Sequence, residues 1–179
     1  VLIKYTLEEA HSDTWLRLKP FLAFRNVHNL MQENMNVNTH YAEVPNGCKF
    51  QLYRGFPELY IQTNKKSEYI AMPDWYRDVE YIKERYRGYG YREDLYVPGY
   101  FEFSIKKGES VVVSASLGEV VPSSLKSKFT REVNRRTPKN KMQNILINAA
   151  QQFILRHDNS VMLKAGYHWK RPQLRDMFV

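Results

Sequence analysis

The sequence predicts a mainly β protein, an antiparallel β-sandwich over residues 1–121 that is followed by two linker helices. Runs in which apolar and polar residues alternate recur along the first 121 residues, and turn signals separate them, which is typical of a sandwich. After Pro122 the spacing of the apolar residues changes from two to three or four, which indicates helices. The chain has 179 residues, of which 43% are hydrophobic, so it can bury a core.

The first predicted strands lie in the first quarter of the chain. Residues 1–7 have the composition of the interior of a strand. A longer strand is predicted from Trp15 to Phe24, where apolar and basic residues alternate until Pro20 interrupts the run. Because proline cannot donate a ladder hydrogen bond, we expect an edge strand or a bulge there. Residues 27–34 have helical or turn composition and are expected to interrupt the sheet.

Shorter strands and one hairpin complete the predicted β region. A turn signal at Asn46-Gly47 precedes the next alternating run, and three short strands are predicted at residues 49–53, 59–62 and 68–72. The last two strands, residues 101–106 and 111–113, are predicted to form a hairpin because Lys107-Gly108 provides a turn between them.

Two stretches rich in aromatic and charged residues, 73–78 and 86–95, are expected to be loops. Sugars have apolar C–H faces and rims of hydroxyl groups, so a sugar site needs rings together with planar groups that make paired hydrogen bonds. The possible sugar-contact residues in these stretches are Trp75, Tyr76, Arg92, Glu93 and Asp94. The same composition also fits a structural cover of salt-bridged rings over a sheet, or a site for nucleic acid.

Two helices are predicted after the β region. Ser123 or Ser124 can cap the first, whose apolar stripe consists of Leu125, Phe129 and Val133. Pro138 ends that helix and is suited to the first position of a second one, with Thr137 as its cap. The second helix has an apolar face that must pack on the sandwich or on a further domain, made of Met142, Ile145, Leu146, Ala149 and Phe153.

Charge and composition exclude several functional classes. The net charge is +8, but the densest basic run, residues 126–141, has the spacing of the solvated face of a helix, so we expect neither nucleic acid nor a membrane as a partner. No apolar run approaches the roughly 20 residues that span a bilayer. Cys48 is single, which excludes an internal disulfide. Phosphate-binding glycine loops, metal-ligand spacings and nucleophile elbows are absent from the sequence, so no cofactor and no metal is expected.

Several motifs occur in a fixed order and are more specific together than singly. They are Leu16–Arg25 with His28, Pro73–Arg77, Glu80-Tyr81, Tyr91–Gly99, and Ala165–Trp169 followed by Arg175-Asp176. The first four resemble the N-terminal domain of bacterial- and archaeal-type glycogen debranching enzymes, and the last resembles the opening of their amylo-α-1,6-glucosidase domain. The resemblance covers nearly the whole chain.

The resemblance implies a supersandwich that a helical linker joins to an α/α-toroid catalytic domain. Residues 1–121 would be the C-terminal portion of the sandwich, 122–157 the linker, and 158–179 the start of the catalytic domain. It also implies that the whole enzyme removes α-1,6-linked glucose from glycogen or a limit dextrin in the cytoplasm. Because the chain lacks an initiator Met and ends without a polar tail, we expect it to be part of a longer protein, with the catalytic domain as a partner.

The resemblance also assigns roles to residues near the C-terminus. Arg175 and Asp176 would bind hydroxyls of the glucose at the cleavage subsite, and Tyr167 and Trp169 would form its wall. The pair would position the substrate, and the catalytic acid and base would lie beyond Val179, so no catalytic residue is assigned in this chain. Gln173-Leu174 departs from the Trp-Gly that the family commonly has there, which leaves the exact substrate open.

Two alternatives to the debranching hypothesis come from other classes. The chain also fits a non-catalytic module that binds carbohydrate or holds domains together. Taken without the resemblance, Arg175-Asp176 is an ordinary exposed charge pair, and Tyr167 and Trp169 are core residues. Nucleic-acid binding through the basic helix is the remaining alternative, and it predicts a steep dependence on salt.

Overall fold

The computed structural model describes residues 1–26, 29–136, 141–157 and 160–163. The chain divides into two compact units, Val1–Phe129 and Thr130–Val179. The first is mainly antiparallel β with few helices, which confirms the predicted class. Its elements are β1 (Leu2–Thr6), β2 (Thr14–Leu18), β3 (Tyr41–Val44), β4 (Gly47–Phe50), β5 (Leu59–Thr63), β6 (Glu68–Glu80), α1 (Ile82–Tyr86), β7 (Arg92–Ile105), β8 (Ser110–Ser116) and the start of α2 (Leu125–Arg136).

Two antiparallel sheets share one hydrophobic core, as in a β-sandwich. The larger sheet has the strand order β1-β8-β5-β4-β3, and the smaller has the order β2-β7-β6. Tyr69 of the smaller sheet packs on Tyr41 and Phe50 of the larger one, with ring centroids 4.7 and 5.8 Å apart. The core takes its buried side chains from alternate positions of both sheets, including Phe50, Ile61, Val111, Trp75, Tyr96, Phe101 and Phe103. Burial of each such side chain stabilises the fold by about 1.5–3 kcal/mol.

The predicted hairpin between residues 101–106 and 111–113 is wrong. β7 and β8 are consecutive strands, but β7 lies in the smaller sheet, whereas β8 pairs with β1 and β5 of the larger one. The turn signal is real, because Gly108 has a φ of 76° and the Glu109 carboxylate accepts the Lys106 N–H at 3.0 Å. A turn reverses the direction of the chain but does not determine which strand the next strand pairs with. Here the chain passes from the smaller sheet to the larger one.

The stretches 73–78 and 86–95, predicted to be loops, belong largely to strands. β6 continues to Glu80, and β7 begins at Arg92, so only the connection with α1 between them is outside the sheet. Pro73 lies where the register of β6 and β7 shifts, between Ala71 and Asp74, and a bulge tolerates a residue without an N–H. Asp78, with a φ of 57°, lies in a second shift. These two irregularities let breaker residues remain inside one long strand.

Other predictions in this unit are confirmed in part. The Asn46-Gly47 signal does join two strands, β3 and β4, and Asn46 has a φ of 53°. The strand predicted from Trp15 to Phe24 ends at Leu18, and beyond Pro20 only Leu22 makes an isolated bridge, to Tyr96 of β7. Residues 29–34 form no helix.

The second unit contains the rest of α2, α3 (Met142–Gln151) and the hairpin of β9 (Ile154–His157) and β10 (Ser160–Leu163). Both predicted helices are therefore present, although the expected start of the second at Pro138 lies outside the described residues. Asn148 donates a side-chain hydrogen bond of 2.8 Å to the carbonyl oxygen of Arg136. Within the described ranges, no helix has the length and apolarity needed to cross a membrane.

Candidate functional site

The five possible sugar-contact residues lie together on paired strands. Trp75 is opposite Tyr96, and Tyr76 is opposite Leu95, so the first two are next to the N-terminal half of β7, which carries the other three. Their exposure differs: Trp75 is 9% exposed and Glu93 is fully buried, whereas Tyr76 is 56% exposed and the Arg92 side chain 58%. Tyr76 and Arg92 are therefore accessible from solvent, whereas Trp75 and Glu93 are not.

Glu93 is the centre of a buried polar network. Arg25 binds it with both ends of the guanidinium group, Nε to Oε1 and Nη2 to Oε2, the second at 2.9 Å. The Tyr81 hydroxyl donates to Oε2 at 2.6 Å, and the Met31 N–H donates to Oε1 at 3.1 Å. A bidentate arginine with two further donors is among the strongest ways to hold a carboxylate. The network joins residues that are far apart in the chain.

The ionisation of Glu93 follows from these contacts. Burial by itself would raise the pKa of Glu93, but the hydrogen bonds from Arg25, Tyr81 and Met31 outweigh it and hold the pKa below its ordinary value. The same carboxylate raises the pKa of the Tyr81 hydroxyl, because a phenolate beside it would be disfavoured. A carboxyl group that stays ionised is poorly suited to be a general acid. Glu93 therefore positions its neighbours.

The side chain of Asp94 projects from the face of β7 opposite to that of Glu93 and binds two backbone groups. Its Oδ2 accepts the N–H of Glu33, and its Oδ1 accepts the N–H of Asp78, each at 2.9 Å. These two hydrogen bonds lower the pKa of Asp94. The Asp78 contact supports the positive φ of that residue, which an L-residue rarely adopts. Asp94 thus fixes both the irregular part of β6 and the segment that precedes β3.

An exposed surface of rings and charges lies next to this network. The rings of Phe21 and Tyr76 pack at 4.8 Å between centroids, although both side chains are exposed. Arg77 binds Glu33 with both ends of its guanidinium group, and Arg92 binds Glu80 at 2.9 Å. Exposed rings and arginines are among the groups that suit a sugar site.

Sequence reasoning assigned no role to Arg25, Tyr81 or Arg77. Arg25 ends the motif Leu16–Arg25, and Tyr81 belongs to Glu80-Tyr81, so the ordered motifs contained both residues. Arg25 and Glu93 are 68 positions apart, however, and no periodic pattern connects them. The structure shows that separate motifs meet in one network.

The C-terminal candidates Tyr167, Trp169, Arg175 and Asp176 lie outside the described residues. Across the residues that are described, no group of three or more His, Cys, Asp or Glu side chains could hold a metal ion. Burial raises the pKa of the Cys48 thiol to about 12, so this cysteine is a core residue and not a nucleophile.

Comparison with known proteins identifies a family for this chain. The family model described as glycogen debranching enzyme N terminal matches residues 1–112. The matched range contains β1 to β7 and the beginning of β8, and it includes every residue of the Glu93 network. No curated protein and no solved structure matches the chain.

Proposed function

This chain belongs to the glycogen debranching enzyme N-terminal family, and from that premise we propose that it is part of a glycoside hydrolase that removes α-1,6-linked glucose from branched α-glucans. The observation that carries the proposal is the match over residues 1–112, which spans strands of both sheets and the network that joins the ordered motifs. An α-glucan, glycogen or a limit dextrin, is the substrate in this proposal.

The proposed layout has three parts. Residues 1–121 are the C-terminal portion of a supersandwich, 122–157 are a helical linker, and 158–179 begin an α/α-toroid domain. The helices α2 and α3 support the linker in this layout. In this layout the sandwich is a rigid support, because the buried Glu93 network ties the segment of Arg25 and Met31 to β7.

The substrate-binding edge in this proposal has two contributions. Arg175 and Asp176 bind hydroxyls of the glucose that is released, with Tyr167 and Trp169 as the wall of that subsite. Tyr76 and Arg92 are candidates for contacts to the glucan chain, because they are exposed members of the cluster on β6 and β7. Trp75, Glu93 and Asp94 stabilise the strands that carry these residues, through packing on Tyr96 and hydrogen bonds with Tyr81 and Asp78.

Glycoside hydrolysis requires two carboxyl groups on opposite sides of the bond, roughly 6.5–9.5 Å apart when the configuration inverts. The proposal places both in the toroid domain. The 179-residue chain alone should therefore release no glucose from a branched limit dextrin, whereas the full-length enzyme should. Turnover by the chain alone would contradict this assignment.

The variant Arg175→Ala in the full-length enzyme tests the substrate-binding role. Loss of a charged hydrogen bond to the transition state lowers kcat/KM by about 100-fold, since such bonds contribute about 2–3 kcal/mol. Arg171→Ala is the matched control, because it removes an arginine from the same stretch and should leave kcat/KM nearly unchanged. The second candidate function, a scaffold or non-catalytic carbohydrate module, predicts that both variants keep full turnover. The buried hydrogen bonds around Glu93 are typical of a rigid support, so they favour a scaffold role that this region would have in addition to the debranching activity of the whole enzyme.

A further inference from the structure

We infer that a cleft at one end of the smaller sheet is a further glucan-binding site, separate from the subsite of Arg175 and Asp176 and from Tyr76 and Arg92. The cleft has a volume of about 800 Å³, within the roughly 300–1,000 Å³ that is usual for small-molecule sites. It is lined by β2 and β7 on one side and by the start of β6, the preceding residues 65–67 and the β3–β4 turn on the other. All of these residues belong to the first unit.

The cleft exists because β6 begins too late in the chain to cover the C-terminal end of β7. The pairing of these strands begins at Glu68 opposite Glu102, and β7 continues to Ile105. On its other edge β7 remains paired, with Trp15 opposite Ser104. A strand three residues longer would fill the space that the cleft occupies. Because Ser104 is small, the ring of Trp15 is accessible from that space.

Trp15 is the residue that points to a sugar. It lies on the outer face of the smaller sheet, where it is 63% exposed, while Phe103, which precedes its partner Ser104 on β7, faces the core. A large exposed ring beside a cleft is an unusual use of tryptophan, since burial of that ring would stabilise the fold. The apolar C–H face of a glucose unit can cover the ring while its hydroxyls remain at the polar rim.

The rim supplies matching polar groups. Glu68 and Glu102 are directly opposite each other, which is destabilising for like charges. Arg17 neutralises Glu102 through an ion pair of 2.9 Å, but Glu68 makes no ion pair with any described residue and is free to accept hydrogen bonds from hydroxyls. The Ser67 hydroxyl is buried in the same lining without a hydrogen-bond partner among the described groups.

The charges of the lining favour a neutral ligand. Carboxylates at Glu43, Glu68 and Glu102 lie near ammonium groups at Lys65 and Lys66 and near Arg17 beside the cleft, and Lys65 is already ion-paired with Glu109 at 2.7 Å. An anionic ligand would require an excess of positive charge, which this lining lacks. An extended peptide added to the edge of β7 would find only Phe103–Ile105 unpaired on that side, which is shorter than the usual five or six residues of a strand. A linear α-glucan fits better, and its identity as the ligand rests on the proposed function.

The test is calorimetric titration of the 179-residue chain with maltoheptaose. Trp15→Ala should weaken binding at least about tenfold, and Glu68→Gln should weaken it by a smaller factor because the amide accepts fewer hydrogen bonds. Tyr86→Ala is the matched control, since Tyr86 is an 86% exposed ring outside the cleft, and it should change the dissociation constant less than about twofold. Equal thermal unfolding midpoints exclude a folding defect as the cause.

Arg175→Ala in the same chain separates the two sites. If maltoheptaose binds in the cleft, Arg175→Ala keeps the affinity of the unaltered chain. Loss of binding in Arg175→Ala together with full binding in Trp15→Ala would overturn the inference. Absence of maltoheptaose binding by the unaltered chain, or binding of an extended peptide in its place, would overturn it as well. If the chain does not bind maltoheptaose but the full-length enzyme releases glucose, the cleft inference fails and the proposed function stands. If the chain binds maltoheptaose in the cleft but the full-length enzyme releases no glucose, only the proposed activity fails.

Discussion

The two halves of β7 are held on their β2 side by different means. The C-terminal half, Phe101–Ile105, pairs with β2 in a regular ladder. The N-terminal half, from Arg92 to Tyr96, lies beside an irregular segment that makes one isolated bridge, between Leu22 and Tyr96. Side chains complete the contact there, with Glu93 and Asp94 bound to groups from that segment.

The difference shows how a sheet continues where its ladder ends. A regular ladder satisfies backbone N–H and C=O groups by itself, so its outer face is free to carry exposed residues such as Trp15 and Arg17. An irregular segment has no repeating partners, and carboxylates of β7 accept its backbone N–H groups instead. The outer face of the C-terminal half is therefore available for ligands, whereas the N-terminal half depends on a few charged side chains for its contact with the neighbouring segment.

The largest expected effect belongs to Glu93→Gln. The substitution removes the negative charge that Glu93 places against the largely buried guanidinium of Arg25, which costs about 3–5 kcal/mol of unfolding free energy. Urea denaturation at pH 7 measures this loss. The double variant Arg25→Met/Glu93→Gln should lose much less than the sum of the two single variants, because the residues are directly coupled. Additive losses would mean that the pair does not act as a unit.

Glu93 also makes this loss depend on pH. Its pKa is lower in the folded chain than in the unfolded chain, so the unfolded chain binds the proton first. The stabilisation is fully present above the unfolded pKa of about 4.3 and is lost as the pH falls through the folded value. The difference between wild type and Glu93→Gln should therefore shrink in denaturation series below about pH 4. A difference that is constant down to acid pH would contradict the assignment of an ionised Glu93.

Asp94→Asn should have an intermediate effect. Asparagine retains one acceptor oxygen, so one of the two backbone N–H groups, from Glu33 or Asp78, loses its partner. We expect a loss of about 1–2 kcal/mol, measured by denaturation, together with faster amide exchange at Asp78 or Glu33. Unchanged exchange at both amides would show that Asp94 does not hold them.

The smallest effect is expected at the ladder half of β7. Arg17→Ala breaks an exposed ion pair with Glu102 and should cost at most about 1 kcal/mol, because solvent screens such pairs. High salt should reduce even this difference. A loss as large as that of Glu93→Gln would mean that both halves of β7 depend equally on charged side chains.

Particular residues show how far local patterns predict this fold. Alternation at Phe101, Phe103 and Ile105 predicts a strand with one buried face, and those three side chains are buried. The Lys107-Gly108 turn is also predictable, but its sheet partners are not, because both β7 and β8 present apolar residues to the same core. Pro73 and Asp78 look like loop residues in the sequence, and only the register shifts of β6 accommodate them.

The candidate functional site was also predictable in part from local sequence patterns. Rings and charges in residues 73–95 predict a polar aromatic surface, and composition identified Trp75, Tyr76, Arg92, Glu93 and Asp94 as its members. Which of them are buried could not be predicted, because a one-residue shift in register exchanges the inner and outer faces of a strand. The partner of Glu93 could not be predicted either, since Arg25 is brought to it by the path of an irregular segment.

The sequence by itself determined the β class, the change to helices after Pro122 and the family, because local alternation and ordered motifs are properties of neighbouring residues. Only the tertiary structure decided which strands pair, which carboxylate is buried, and where the start of β6 leaves a cleft beside Trp15. These features depend on contacts between residues distant in the chain, and such contacts form when the two sheets pack around one core.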